Sequence, residues 1–112
     1  MRNIKFTTLI LLLTTILNAQ NIHETPLDTG EKVFRAYCWG CHHQTAQAFG
    51  PSFKQIANNR TKDQMITHIM APKSDYKQLG YTRSVMPSFG DTLSKKEIDL
   101  IIDFIKSCKD MK

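Results

Sequence analysis

The sequence predicts an all-α domain, and three observations carry that prediction. Helix-start signals recur at Asp28-Thr29-Gly30-Glu31, Thr61-Lys62-Asp63-Gln64 and Ser94-Lys95-Lys96-Glu97. Apolar residues follow at helical spacing after each, and no stretch alternates apolar and polar residues as a half-buried strand would. Each signal sets Ser, Thr or Asp three places before Glu or Gln. Two side chains can then satisfy the free N–H groups of a first turn.

Taken in order, the 112-residue chain opens with Arg2 and Lys5, an apolar run over residues 6–17, and then Asn18-Ala19. That charged, apolar, small-residue order is the pattern of a secretory signal peptide. The run is 12 residues, against the roughly 20 a helix needs to cross a bilayer. Residues 1–19 are therefore expected to be removed on export to the periplasm, leaving no membrane span. Residues 20–27 lack periodicity and contain Pro26, so they read as a flexible lead-in to one domain over 28–112.

The first helix is expected to start at Asp28 and run through Val33, Phe34 and Tyr37 into Cys38. Gly30 lies one turn before Phe34 on the same face. A helical glycine costs about 1 kcal/mol against alanine, which points to close approach by another element. The partner expected there is the last helix, where Ile98, Ile101, Ile102 and Ile105 fall at i, i+3, i+4 and i+7, widened by Leu100 and Phe104. Cys108 continues that stripe and reads as a buried free thiol, with an intermolecular disulfide as the alternative. The middle helix runs from Thr61 through Met65, Ile66, Ile69 and Met70 and is bounded by Pro72. Gly50-Pro51 and Gly80-Tyr81 mark loops.

Composition is that of an ordinary globular chain with a formal net charge of +5. The excess lies between Gly50 and Gly90, where Lys54, Arg60, Lys62, Lys73, Lys77 and Arg83 face only Asp63 and Asp75. One reading is a scatter of solvated side chains; the other is a positive rim that steers acidic partners. A mature domain of 93 residues buries too little surface to be comfortable and usually needs a staple or a cofactor in its core.

Cys38-Trp39-Gly40-Cys41-His42 supplies both, since Cys-x-x-Cys-His is the pattern of covalent haem attachment. Each thiol can add across one vinyl group, and the following histidine can give an imidazole nitrogen to the iron. Two other chemistries use similar residues. A thioredoxin-like dithiol wants its Cys-x-x-Cys after a strand, whereas here it follows a helix. A zinc site could draw on Cys38, Cys41, a histidine and Cys108, but lacks a second closely spaced ligand pair.

In the order of its motifs the mature chain resembles a class I c-type cytochrome. The resemblance rests on Gly30 and Phe34, on Cys38 to His42, on Gly50-Pro51, on Met86-Pro87, and on Ile101 and Phe104. It implies a cytochrome c fold, with N- and C-terminal helices crossing beside one covalently bound haem c. It also implies His42 as proximal iron ligand and a distal methionine. By position it implicates the carbonyl of Pro51 as acceptor for the proximal imidazole, which would strengthen His42 as a donor to iron.

Met86 is the expected distal ligand, because Pro87 biases it away from helix toward an extended loop that can carry a sulfur to the iron. Met65 and Met70 read as core filling on the middle helix. His68, on the same helix, is the competing ligand. His43 is too close to His42 to reach the opposite face, and His23 lies in the lead-in. Arg60, Arg83, Tyr76 and Tyr81 are candidates to pair with a propionate, and Trp39 reads as a packing or surface ring.

Two filled axial positions suit an electron carrier, whereas catalysis or gas binding needs one open or easily vacated. The expected function is single-electron transfer between redox proteins, without enzymatic activity and without a nucleic-acid partner. The chain should be a monomer or form a transient heterodimer, meeting partners with acidic docking surfaces. Two alternatives are a haem protein with a displaceable distal ligand and the dedicated haem subunit of a periplasmic dehydrogenase. The second rests on Tyr76-Lys77-Gln78-Leu79-Gly80-Tyr81, which is similar to a loop in the cytochrome subunit of sulfite dehydrogenases.

Overall fold

A computed structural model describes residues 26–112 of the chain. The expected signal peptide and most of the lead-in lie outside the described residues. The all-α expectation is borne out: among the described residues there are helices and loops and no strand. Helix α1, Gly30–Val33, continues as a π-helical turn over Phe34–Cys38. Then come α2 (Phe53–Asn59), α3 (Lys62–Met70), the single turn α4 (Pro72–Asp75) and α5 (Lys95–Ser107).

Local chemistry sets most boundaries. Thr61 and Ser94 each accept from the third backbone N–H of their helix, and Gln64 and Glu97 reach back to the cap, so two of the three expected capping boxes are formed. The start of α1 differs from expectation. Thr29, not Asp28, caps it, accepting from the Lys32 N–H at 3.2 Å. Asp28 is left to pair with the Lys32 ammonium at 2.6 Å, because a hydroxyl one residue on already serves the first turn. Helix α2 was not among the expected elements; Ser52 caps it, accepting from the Gln55 N–H at 3.1 Å.

Helix α5 is the spine. Its Ile98, Ile101, Ile102 and Ile105 are buried, and α1, α2 and α3 all pack on it. Gly30 makes the closest approach: a Cβ there would stand 2.4 Å from the Leu100 carbonyl oxygen and 2.6 Å from the Phe104 Cβ. Phe34, Phe53 and Phe104 stack in a triangle with centroids 5.1, 5.3 and 6.2 Å apart, tying α1, α2 and α5 together. Leu27 packs against this core. Cys108 is fully buried as a free thiol, its S–H donating to the Phe104 carbonyl. Met65 belongs to the core, but Met70 does not: it is 41% exposed at the last turn of α3, where the chain turns outward toward Pro72.

Candidate haem site

The π turn delivers the attachment motif. Its wider winding lets the Trp39 N–H reach the Phe34 carbonyl, and the chain then tightens as the Cys41 and His42 N–H groups both donate to the Cys38 carbonyl, at 3.1 and 2.9 Å. The loop that follows folds back on this turn. The Gly50 N–H donates to the Cys41 carbonyl at 2.8 Å, and the Phe53 and Lys54 N–H groups donate to those of His43 and Gln44.

This folding back fixes the His42 ring. Gly50 lies flat against it, since a Cβ there would sit 2.6 Å from the imidazole Cε1 and 2.9 Å from Nδ1. The next residue supplies the orienting bond: His42 Nδ1 and the Pro51 carbonyl oxygen are 2.7 Å apart. A carbonyl can only accept, so the proton sits on Nδ1 and the lone pair on Nε2. Burial holds this imidazole below the ordinary histidine range, against an upward pull from the Pro51 bond and with a further push down from His68. The neutral, Nε2-donating form is the one a metal takes.

Nε2 belongs to a ring that lines a cavity of about 400 Å³ between the motif turn, α3 and the loop after α4. Cys38, Cys41, His42 and Met86 all lie on this one lining. Burial, and then the neighbouring Cys41, push the Cys38 thiol up to about 11. A thiolate is disfavoured there, whereas a neutral thioether carries no such penalty. Phe53, Met65, Ile69, Ile101 and Ile105 supply the apolar floor. At the mouth, Phe49 and Val85 are 74% and 58% exposed.

Met86 sits in a segment held at its two ends. The Tyr81 N–H donates to the Tyr76 carbonyl on one side; on the other, the Phe89 N–H donates to the Ile69 carbonyl and the Ser88 hydroxyl to that of Met70. The segment therefore crosses beside the last turn of α3.

The remaining wall is polar. Arg60 donates to the Leu79 carbonyl at 2.8 Å and lies over the Tyr81 ring. Tyr81 stacks on His68, whose Nδ1 is 2.6 Å from an Asp75 carboxylate oxygen. Arg83 and Ser84 complete this side. The Ser84 hydroxyl is buried and has no hydrogen-bond partner among the described residues. Of the four propionate candidates, Arg60, Tyr81 and Arg83 line the cavity, whereas Tyr76 does not and lies beneath the Lys77 ammonium. Trp39 is an exposed surface ring, edge-on to His43.

Neither rival chemistry finds support in this arrangement. Among the described residues no strand precedes the Cys-x-x-Cys, and no three His, Cys, Asp or Glu side chains gather as a metal ion would require.

The family model described as cytochrome C oxidase, cbb3-type, subunit III matches residues 25–105, from just before α1 to near the end of α5. The chain belongs to this family and is a class I c-type cytochrome. It is also 26% identical over 88 residues to a cytochrome c6 of Gracilaria tenuistipitata var. liui, a match covering 79% of this chain and 78% of that protein. No solved structure matches it significantly.

Family membership makes the chain an electron-carrying protein with covalently bound haem c and redox partners. The residues present fit that group. Two cysteines stand beside a neutral imidazole on one apolar lining, Gly50 leaves room for that imidazole to lie flat, and an orphaned Ser84 hydroxyl waits on the polar wall. Ser84 and the exposed Phe49 also line the cavity and are not among the candidates the sequence singles out. Neither carries a local signal, since both are defined only by the cavity they border. Among the described residues no helix is long and apolar enough to cross a membrane.

Proposed function

We propose that this cytochrome is a periplasmic, single-haem carrier of single electrons, with His42 and Met86 as its two iron ligands and no enzymatic activity of its own. The observation that carries the reading is the shared lining: Cys38, Cys41, the His42 imidazole with its Nδ1 engaged by Pro51, and Met86 border the same cavity, whereas the other methionine there, Met65, is packed into the core from α3. When bound, the haem supplies a one-electron iron couple. The protein's part is to hold that couple still and dry. Cys38 and Cys41 anchor the ring, Pro51 keeps the His42 proton on Nδ1, and the isoleucines of α5 keep water from below. A thioether on the second position leaves no site for substrate, which favours transfer over catalysis.

Residues 1–19 act in this reading as an export signal, removed before the domain at 28–112 takes its haem outside the cytoplasm. Arg60, Tyr81, Arg83 and the Ser84 hydroxyl, which line the cavity, are the groups this reading assigns to the propionates. The cations between Gly50 and Gly90 attract partners with acidic surfaces, and the chain works as a monomer or in a transient heterodimer.

The test is spectroscopic and chemical. Exported protein should have lost residues 1–19 by mass and should carry one haem per chain. In the ferric state it should show the weak far-red band of sulfur ligation, which Met86→Ala removes. Replacing His42, Cys38 or Cys41 should prevent stable holoprotein. A haem stoichiometry of two, or a ferric spectrum indifferent to Met86→Ala, contradicts the reading.

A further inference from the structure

We propose that His68, set in place by Asp75, is a second iron-ligand site of this chain, a reserve imidazole that takes the iron when the Met86 sulfur leaves it. This rests on the reading of Met86 as resident ligand.

Three observations carry it. First, His68 lines the same cavity as His42 and Met86. Second, it is prepared as a ligand in the way His42 is. Its Nδ1 is 2.6 Å from the Asp75 carboxylate, its ring is stacked on Tyr81, and its Nε2 makes no hydrogen bond among the described residues. An imidazole whose one nitrogen is engaged by a carboxylate offers the other to a metal with raised basicity. Asp75 is also one of the two buried polar residues among those described, and its carboxylate accepts from the His68 Nδ1–H, so a desolvated carboxylate is committed to orienting this one ring. Third, the two donors are mounted differently. His68 belongs to the capped helix α3. Met86 sits in a segment whose backbone bonds lie at its ends, at Tyr81 and at Ser88–Phe89. Loss of the sulfur therefore leaves an oriented nitrogen donor in the same cavity.

The exchange is a simple substitution. With haem bound, the Met86 sulfur would give up its bond to the iron, the His68 Nε2 lone pair would form one in its place, and the Nδ1 proton would stay in the hydrogen bond to Asp75. The oxidation state of the iron does not change. Ferric iron, which favours imidazole over the softer thioether, is where the exchange should be complete.

The experiment uses purified holoprotein and electron paramagnetic resonance with optical spectra. Ferric Met86→Ala should remain low-spin with two imidazole ligands. Met86→Ala/His68→Phe should become high-spin and bind cyanide, and added imidazole should restore its low-spin signal. Adding Asp75→Asn to Met86→Ala should raise cyanide affinity by roughly tenfold, the usual scale for loss of an orienting partner. This also serves if the His68 double variant fails to fold. High-spin Met86→Ala overturns the proposal, as does a low-spin spectrum that persists in the double variant and so belongs to another donor. A wild-type protein without the sulfur band defeats the Met86 reading instead. His68→Phe then decides separately whether His68 ligates.

Discussion

The Gly30 Cα and the Leu100 carbonyl are so close that a single methyl on Gly30 would lie 2.4 Å from that oxygen and 2.6 Å from the Phe104 Cβ. Neither neighbour is the free end of a flexible side chain, so α1 would have to move off α5. The cost should be that of overpacking, about 1–3 kcal/mol. Helix propensity pulls the other way, since alanine gains roughly 1 kcal/mol over glycine. Gly30→Ala should therefore destabilise the holoprotein, visible as a lower denaturant midpoint, with the far-red band retained. An unchanged or raised midpoint would show that the crossing can relax.

That crossing was legible in the sequence because it rests on a local oddity, a glycine inside a helix opposite an isoleucine stripe. The boxes at Thr61 and Ser94 were legible for the same reason: cap and partner lie three residues apart. Ser52-Phe53-Lys54-Gln55 carried a similar signal for α2. It is easily passed over because only Phe53 and Ile56 mark an apolar face, and the helix is held mainly by packing on α5. The polar wall was not legible. His68 and Asp75, or Arg60 and Leu79, meet only once α4 and its loop have folded back, and no spacing encodes that return.

Gly50 and Pro51 together set the His42 ring, which makes the bond from Nδ1 a lever on the iron. Gly50→Ala would drive a methyl into the ring at 2.6–3.1 Å, displacing the imidazole from the Pro51 carbonyl. A weaker Nδ1–H bond makes Nε2 a poorer donor and stabilises ferric iron less. The reduction potential should rise in this variant, and holoprotein yield should fall. A lower potential at full yield would show that the Pro51 bond does not tune the site.

Cys108 offers a count as well as a stability test. With Cys38 and Cys41 consumed as thioethers, native holoprotein should show no reactive thiol, and denatured holoprotein one. Burial raises this thiol above the ordinary value of 9.0. The unfolded chain therefore gives up its proton first, and the folded state holds more protons above that pH. The stability from the buried neutral thiol is complete below pH 9.0 and is lost as pH rises through the folded value. Cys108→Ala should remove that part of the alkaline loss while costing about 1 kcal/mol or less at neutral pH through lost packing. Rapid alkylation of native protein at neutral pH would place the thiol at the surface instead.

Charge around the cavity should control how fast partners arrive. Arg83 is exposed and lines the cavity beside the exposed Val85, whereas Arg60 is engaged with Leu79 and Tyr81. Lys73 and Lys77 are exposed on α4 and the turn after it. These cations can steer an acidic partner without building a tight interface, because electron transfer needs only a brief, small, wet contact. The bimolecular rate with such a partner should fall as salt rises, since at about 0.1 M charges are already screened beyond roughly 10 Å. Arg83→Glu should lower that rate most, and Lys73→Glu or Lys77→Glu less. Lys95→Glu, at the start of α5 and away from the cavity lining, should leave it nearly unchanged. Stopped-flow rates across a salt series decide this. A rate independent of salt would mean that Phe49 and Val85 make the contact by apolar burial alone, and a complex stable through gel filtration would favour the dedicated-subunit alternative.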